Sequence, residues 1–450
     1  MPLQHAEKFD LQKIKEKSHI WAICALVIST LFPQEVRLTI LGIDLFPFRI
    51  VFLIFLPYTI RYSTKLATKP IATDVFVFSS AIWVMISSIY HNGPLSGIIH
   101  GLSATADLLA GYVTARASIR NINDFRRVLV VTAPFFLIAG LIVMTESLSG
   151  HIILKPVVEA YFPRPITAGI VSTSQADYAL RLGLFRGVGT FPHAILAGLY
   201  LATLLPIYAY SRLRGWPLKI GLAASALAFF SVSSTAILSI LITFILISLD
   251  KLVKFIKQLH WTFLISIFLF TLFCIQLVFT NGIFGLMVKI SLDGWTAYYR
   301  YITYKFATKA SFEHPLFGIG DGNFDRPAWM ISTTVDSFWL LQMLNYGIFS
   351  MLTIFAATIT VIYELAKATA STDESDSFTV KGIAFSLSVI IFGGTSVAFF
   401  GSFPTWFGII LGSGANCAFS IRNSVIRAPQ VHEIPVALRS TSLSALPARW

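Results

Sequence analysis

Charge is what this sequence has least of. Asp, Glu, Lys and Arg make up 12% of its 450 residues, against about 25% in an ordinary soluble domain. That shortage excludes a large water-facing surface. Cysteine is scarce too. Cys24, Cys274 and Cys417 lie far apart in or beside apolar segments, with no metal-ligand spacing. They read as packing residues. HExxH, Walker A and GxSxG patterns are absent, which argues against a metalloprotease or a nucleotide-driven enzyme. Asp321-Gly322-Asn323-Phe324-Asp325 lacks the Gly and the bidentate Glu of a calcium loop. No repeat of solenoid period is present. No cleavable signal peptide is evident, because the start of the chain is polar and basic and the first apolar run is expected to stay as a helix.

What is abundant is apolar bulk. Hydrophobic residues make up 55% of the chain, 39 of them Phe, and mean hydropathy is +0.73. A spanning helix needs about 20 mostly apolar residues. Runs of that kind cover 20–34, 38–58, 74–90, 97–115, 128–148, 193–210, 217–232, 235–250, 262–280, 336–362, 381–399 and 403–421. The break at Ser233 and Ser234 is either a tight re-entrant turn or part of a longer helix. The expected fold class is all-α: a polytopic membrane protein of about 12 transmembrane helices with two long extracytoplasmic loops. Residues 1–421 form a single integral membrane domain. The segment 422–450, polar and rich in Ser, Pro and Arg, is expected to be a flexible cytoplasmic tail.

The net charge of +12 reads as topology, not as nucleic-acid binding. With the N-terminus inside, the short inner segments collect Lys8 to Lys17, Arg61, Arg116, Arg126, Arg212, Lys251, Lys381 and Arg422. The short outer loops are nearly free of Lys and Arg, which fits the positive-inside rule and puts both termini in the cytoplasm. Asp44, Arg49 and Asp107 fall inside spans, where ionisable groups need partners or water. Asp44 and Arg49 are expected near the outer half of one helix, pairing with each other or with neighbours, or lining a site.

The two long outer loops cover about 149–192 and 281–335, lengths usually kept for a task. The first holds Arg164, Arg181 and Arg186. Arg186 opens Arg186-Gly187-Val188-Gly189-Thr190-Phe191-Pro192-His193, just before a span. Guanidinium groups bind phosphate bidentately and keep their charge, and the flanking glycines would let backbone N–H groups approach an anion. The plainer reading is that these arginines bind lipid headgroups or pair with Glu159 and Asp177. The second loop holds Arg300, Tyr304 and Phe312-Glu313-His314-Pro315-Leu316-Phe317-Gly318-Ile319-Gly320, then Asp336 before an apolar run. Asp336 reads either as a helix N-cap or as a carboxylate that orients or deprotonates an acceptor hydroxyl.

Arg300, with His314-Pro315-Leu316-Phe317-Gly318-Ile319-Gly320 fourteen residues on, resembles the signature of the bacterial O-antigen ligase and polysaccharide polymerase superfamily (Wzy/WaaL-like). Arg186-Gly187-Val188-Gly189-Thr190-Phe191 is similar to that family's R-x-x-G-T-F element. Tyr304 stands where the family often has Trp, and Asp336 where its ligases usually carry His. The second departure tilts the reading to a polymerase. The resemblance implies glycosyl transfer on the outer side of the bacterial cytoplasmic (inner) membrane, from an undecaprenyl-pyrophosphate-linked oligosaccharide to a sugar hydroxyl of another lipid-linked repeat. The product would be exopolysaccharide, capsule or O-antigen. Arg186 and Arg300 would clamp the pyrophosphate, helped by Arg164 and Arg181. Asp336 or His314 would serve as base. Tyr304 and Trp329 would contact substrate. Permanent guanidinium charges would stand in for a metal, so no metal and no cofactor are expected. Expected partners are the lipid-linked oligosaccharide, membrane lipids and a chain-length regulator, with no nucleic acid. The alternatives are an O-antigen ligase, which transfers finished polysaccharide to an acceptor, and a lipid-linked sugar flippase or transporter. A transporter should show repeated halves, and no corresponding halves are found.

Overall fold

The computed structural model describes residues 20–40, 43–65, 70–162, 180–256, 258–278, 294–330 and 334–427. Among these residues the regular structure is helical, apart from one short pair of strands and an isolated bridge. In chain order come α1 (Trp21–Ser29), β1 (Leu38–Ile40), β2 (Ile43–Leu45), α2 (Pro47–Lys65), α3 (Ala72–Asn92), α4 (Pro94–Ser118), α5 (Ile122–Ser149), α6 (Leu154–Tyr161), α7 (Ala194–Tyr210), α8 (Trp216–Ala226) and α9 (Ser234–Phe255). Then follow α10 (Trp261–Val278), α11 (Gly294–Glu313), α12 (Phe338–Tyr346), α13 (Ile348–Ala368), α14 (Glu374–Gly393) and α15 (Phe403–Arg427). Among the described residues six helices, α3, α5, α9, α10, α13 and α14, are long and apolar enough to cross a membrane. This is the build of a multi-pass membrane protein.

Helix α7 runs through the centre and is buried along nearly its whole length. Its Tyr200 stacks on Trp406 of α15, with ring centroids 4.7 Å apart, and its hydroxyl bonds Thr30 of α1. The Tyr208 hydroxyl donates to the Leu129 carbonyl of α5 at 2.9 Å. Helices α4 and α15 touch backbone to backbone. A Cβ at Gly111 or Gly408 would collide with the carbonyl oxygens of Thr405 and Leu108. Close approach through small residues is how helices associate where lipid removes the hydrophobic drive between them. A second, smaller cluster joins α11 to α12 through Ala307, Ala310, Phe324, Leu340 and Leu344.

The structure corrects the sequence reading at two spans. Leu38–Ile40 and Ile43–Leu45 do not begin a helix. They form an antiparallel hairpin in which Thr39 pairs with Asp44, and α2 starts only at Pro47. The run 336–362 is broken at Gly347, whose φ of +87° ends α12 and starts α13. A Cβ there would strike the Leu316 carbonyl, so only glycine fits. The soft break at Ser233 does interrupt the helix: Val232 has φ +44° and Ser233 is extended before α9 begins.

The intramembrane charges are paired, as desolvation demands. Arg49 donates to Asp107 of α4 through Nε (2.7 Å) and Nη2 (2.9 Å). Asp44 lies on the hairpin and takes Arg37 at 2.9 Å, while its carbonyl accepts from Arg49. At the end of the bundle where α4 finishes and α5 begins, Arg116 pairs with Asp74 (2.7 Å), Arg126 with Asp376 (2.7 Å) and Lys381 with Asp250 (2.5 Å).

Candidate functional site

The opposite end of the bundle gathers the segments read from the sequence as long outer loops. Near the finish of α5, the fully buried Glu146 accepts backbone N–H bonds from Val188 (3.0 Å) and Gly189 (2.7 Å). The glycine-flanked turn after Arg186 does present amides to an anion, and that anion is the protein's own carboxylate. The Ser147 hydroxyl donates to the Phe185 carbonyl at 2.7 Å, and the Gly187 N–H to Phe230 at 3.1 Å. Gly189 holds φ +59° against Val143. Arg186 is therefore carried on a turn fixed from several sides, with its side chain only 6% exposed.

The same turn leads into His193, the N-cap of α7. The Ile195 N–H donates to His193 Nδ1 at 3.1 Å, which places the proton of the neutral ring on Nε2. Burial pushes the His193 imidazole down to about 3, and the charges of Arg186, Lys155, Arg300 and Arg181 add to that shift in that order. Four cations from three separate segments thus bear on one imidazole. Lys155, at the start of α6, is buried. It donates to the Pro192 carbonyl at 3.0 Å and lies 3.6 Å from buried Glu35.

Arg300, on α11, also lines a cleft of about 920 Å³ including its open mouth. Its Nε donates to Asp336 Oδ2 at 2.8 Å, the two side chains being 25% and 39% exposed. Asp336 is not the N-cap of α12. Ser337 is, accepting from the Leu340 N–H. The cleft floor is rich in hydroxyls, with Ser234, Thr235, Thr303, Ser337, Thr395 and Ser396, and Tyr301 and Tyr304 add aromatic faces. Burial raises the Tyr304 hydroxyl above the usual phenol range. Leu238, Ala297, Val335 and Phe392 supply an apolar wall.

Not every residue expected at the site is there. His314 lies at the end of α11, exposed and outside the cleft lining, with its carbonyl accepting from Gly318. The turn that follows it is a clasp. Phe317 stacks on Trp83 (5.5 Å) and Tyr90 (4.6 Å) of α3, and its carbonyl takes the Ser87 hydroxyl at 2.7 Å. Ile319 and Gly320 donate backbone N–H groups to Leu344 and Asn345 at the end of α12. Trp329 is 59% exposed and also outside the lining. Arg181 sits in a tight turn, its backbone paired with Leu184. Arg164 and residues 428–450 of the tail lie outside the described residues. Sequence reasoning passed over Glu146, Lys155, Glu35 and His193. The readable signal was an acid, Glu146, in an otherwise apolar run.

A cleft lined by hydroxyls, tyrosines, one carboxylate and one guanidinium, Arg300, suits a ligand that joins an anion to polyol rings. No protein-family model and no curated protein matches the chain.

Proposed function

We propose that the chain is a membrane glycosyltransferase that polymerises undecaprenyl-pyrophosphate-linked oligosaccharide repeats on the outer side of the bacterial cytoplasmic membrane. The observation that carries this reading is the cleft in which Arg300 pairs with Asp336 among hydroxyls and tyrosines; the charges of Arg186, Lys155, Arg300 and Arg181 are also all felt at buried His193. Twelve spans with both termini inside would place this end outside, since the Arg116 and Arg126 end carries the basic inner loops.

In this reading the guanidinium groups hold the donor's pyrophosphate and take up the charge that grows as the glycosidic C–O bond breaks. Lipid pyrophosphate leaves as a stable anion, so what the protein supplies is mainly positioning and charge. Asp336, in contact with Arg300, orients the acceptor hydroxyl and receives its proton. The apolar wall at Leu238 and Phe392 faces the part of the ligand nearest the lipid.

The test is to replace Arg186 or Arg300 with Ala and to examine polymer length in the producing cell. Single unpolymerised repeats at normal protein level are expected, and Lys replacements should restore little because Lys lacks the bidentate fork. Full-length polymer from both Ala variants overturns the reading.

A further inference from the structure

One buried acid near the cation cluster has no part in the chemistry above. Glu146 is 0% exposed and its carboxylate accepts four backbone N–H bonds. Oε1 takes Ile153 (3.1 Å) and Leu154 (3.2 Å), and Oε2 takes Val188 (3.0 Å) and Gly189 (2.7 Å). The first two amides open α6, and the next residue is Lys155. The second two follow Arg186 by two and three positions. A single side chain therefore ties together the two segments that bring Lys155 and Arg186 to His193.

We propose that Glu146 is the positioning residue of a diphosphate site, setting the separation of Lys155 and Arg186 by holding both of their backbones on one carboxylate. This rests on the functional reading above. The demand is chemically narrow. Four donors converge on two oxygens, which only an ionised carboxylate satisfies, because it accepts at both atoms and donates at neither. An amide would turn its NH2 toward two N–H groups and push one segment away. That would shift a cation without removing it.

The experiment uses purified full-length protein and inorganic pyrophosphate, with binding read by calorimetry. The wild type, Glu146→Gln, Arg186→Ala and Asp250→Asn are compared, with thermal stability recorded for each. Asp250 is a control because it is equally buried but sits at the other end, against Lys381 and Tyr210. Glu146→Gln is expected to weaken pyrophosphate about tenfold, the scale of one lost charge-assisted hydrogen bond. Asp250→Asn should lower stability and leave the affinity alone. If Glu146→Gln does not fold, Glu146→Asp keeps the charge on a shorter arm and should bind several-fold more weakly than wild type. Wild-type affinity in the folded Glu146 variant, with Arg186→Ala weakened, overturns this inference and spares the functional reading. An equal loss in Asp250→Asn overturns it as well. No saturable pyrophosphate binding by the wild type removes the functional reading and this inference with it.

Discussion

The two ends of the helix bundle use the same charged residues in opposite ways. At one end, Arg116, Arg126 and Lys381 each meet a carboxylate from a neighbouring helix at 2.7 Å or less. These are struts that fix helix spacing. At the other, Arg181, Arg186, Lys155 and Arg300 come from three segments, and their charges all disfavour protonation of His193. Arg300 and Asp336 do form a pair there, but it is more exposed than Arg116 with Asp74 and it lines a cleft. The difference teaches how to separate an arginine that only braces helices from one that also borders a cleft. Arg116 answers to a partner across a helix interface, whereas Arg300 meets its partner at the edge of an open space.

The contrast can be broken most forcefully at the struts. Arg116→Ala leaves the largely enclosed Asp74 and the Asn416 side chain without their guanidinium. It should cost roughly 3–5 kcal/mol, the usual penalty for breaking a buried pair from one side. Thermal unfolding in detergent reads the loss, while the molecules that remain folded should still make long polymer. Asp336→Asn should do the reverse. Polymerisation should slow about 100-fold, the lower bound for removing a positioned base, with the melting temperature little changed. A matched loss of stability and rate in both variants would erase the distinction between the two ends.

Phe317→Ala tests the clasp. Removing a ring stacked between Trp83 and Tyr90 should cost about 2 kcal/mol, less than a fully enclosed Phe. Polymerisation should slow only modestly, because the clasp steadies α12 next to Asp336 without lining the cleft itself. The last effect concerns pH. The His193 ring titrates near 3 in the folded chain and near 6.5 when unfolded. Between those values the unfolded state binds the extra proton, so stability rises with pH across that window. His193→Gln should therefore lose less stability than wild type between pH 7.5 and pH 4.5, as compared by thermal unfolding.

Much of the helical frame was legible because apolar runs of spanning length have few other uses. The runs at 74–90, 128–148 and 235–250 fall within α3, α5 and α9. The hairpin was missed because Leu38-Thr39-Ile40 and Ile43-Asp44-Leu45 are apolar enough to extend a span. Their alternation with period two, across Leu41-Gly42, was the competing signal. The break at Gly347 hid in the same way, inside an apolar run that length alone reads as one helix. Arg300 and Arg186 stood out by residue type and setting. The Arg300–Asp336 contact spans 36 residues, and nothing local in the chain announces it. Glu146 acts on backbone amides, which every residue carries, so its partners leave no mark in the sequence.

The clasp has a wider consequence. The stretch from His314 to Gly320 is the most recognisable string in the chain, yet its work is mechanical. It pins the far tip of α12, whose first turn follows Asp336, to the end of α3. A short rod fastened at the tip cannot swing at its base, so the acid beside Arg300 owes its fixed station to a fold of backbone on the other side of the rod. A signature can be memorable because the main chain there permits few spellings, while the carboxylate it steadies sits a helix away.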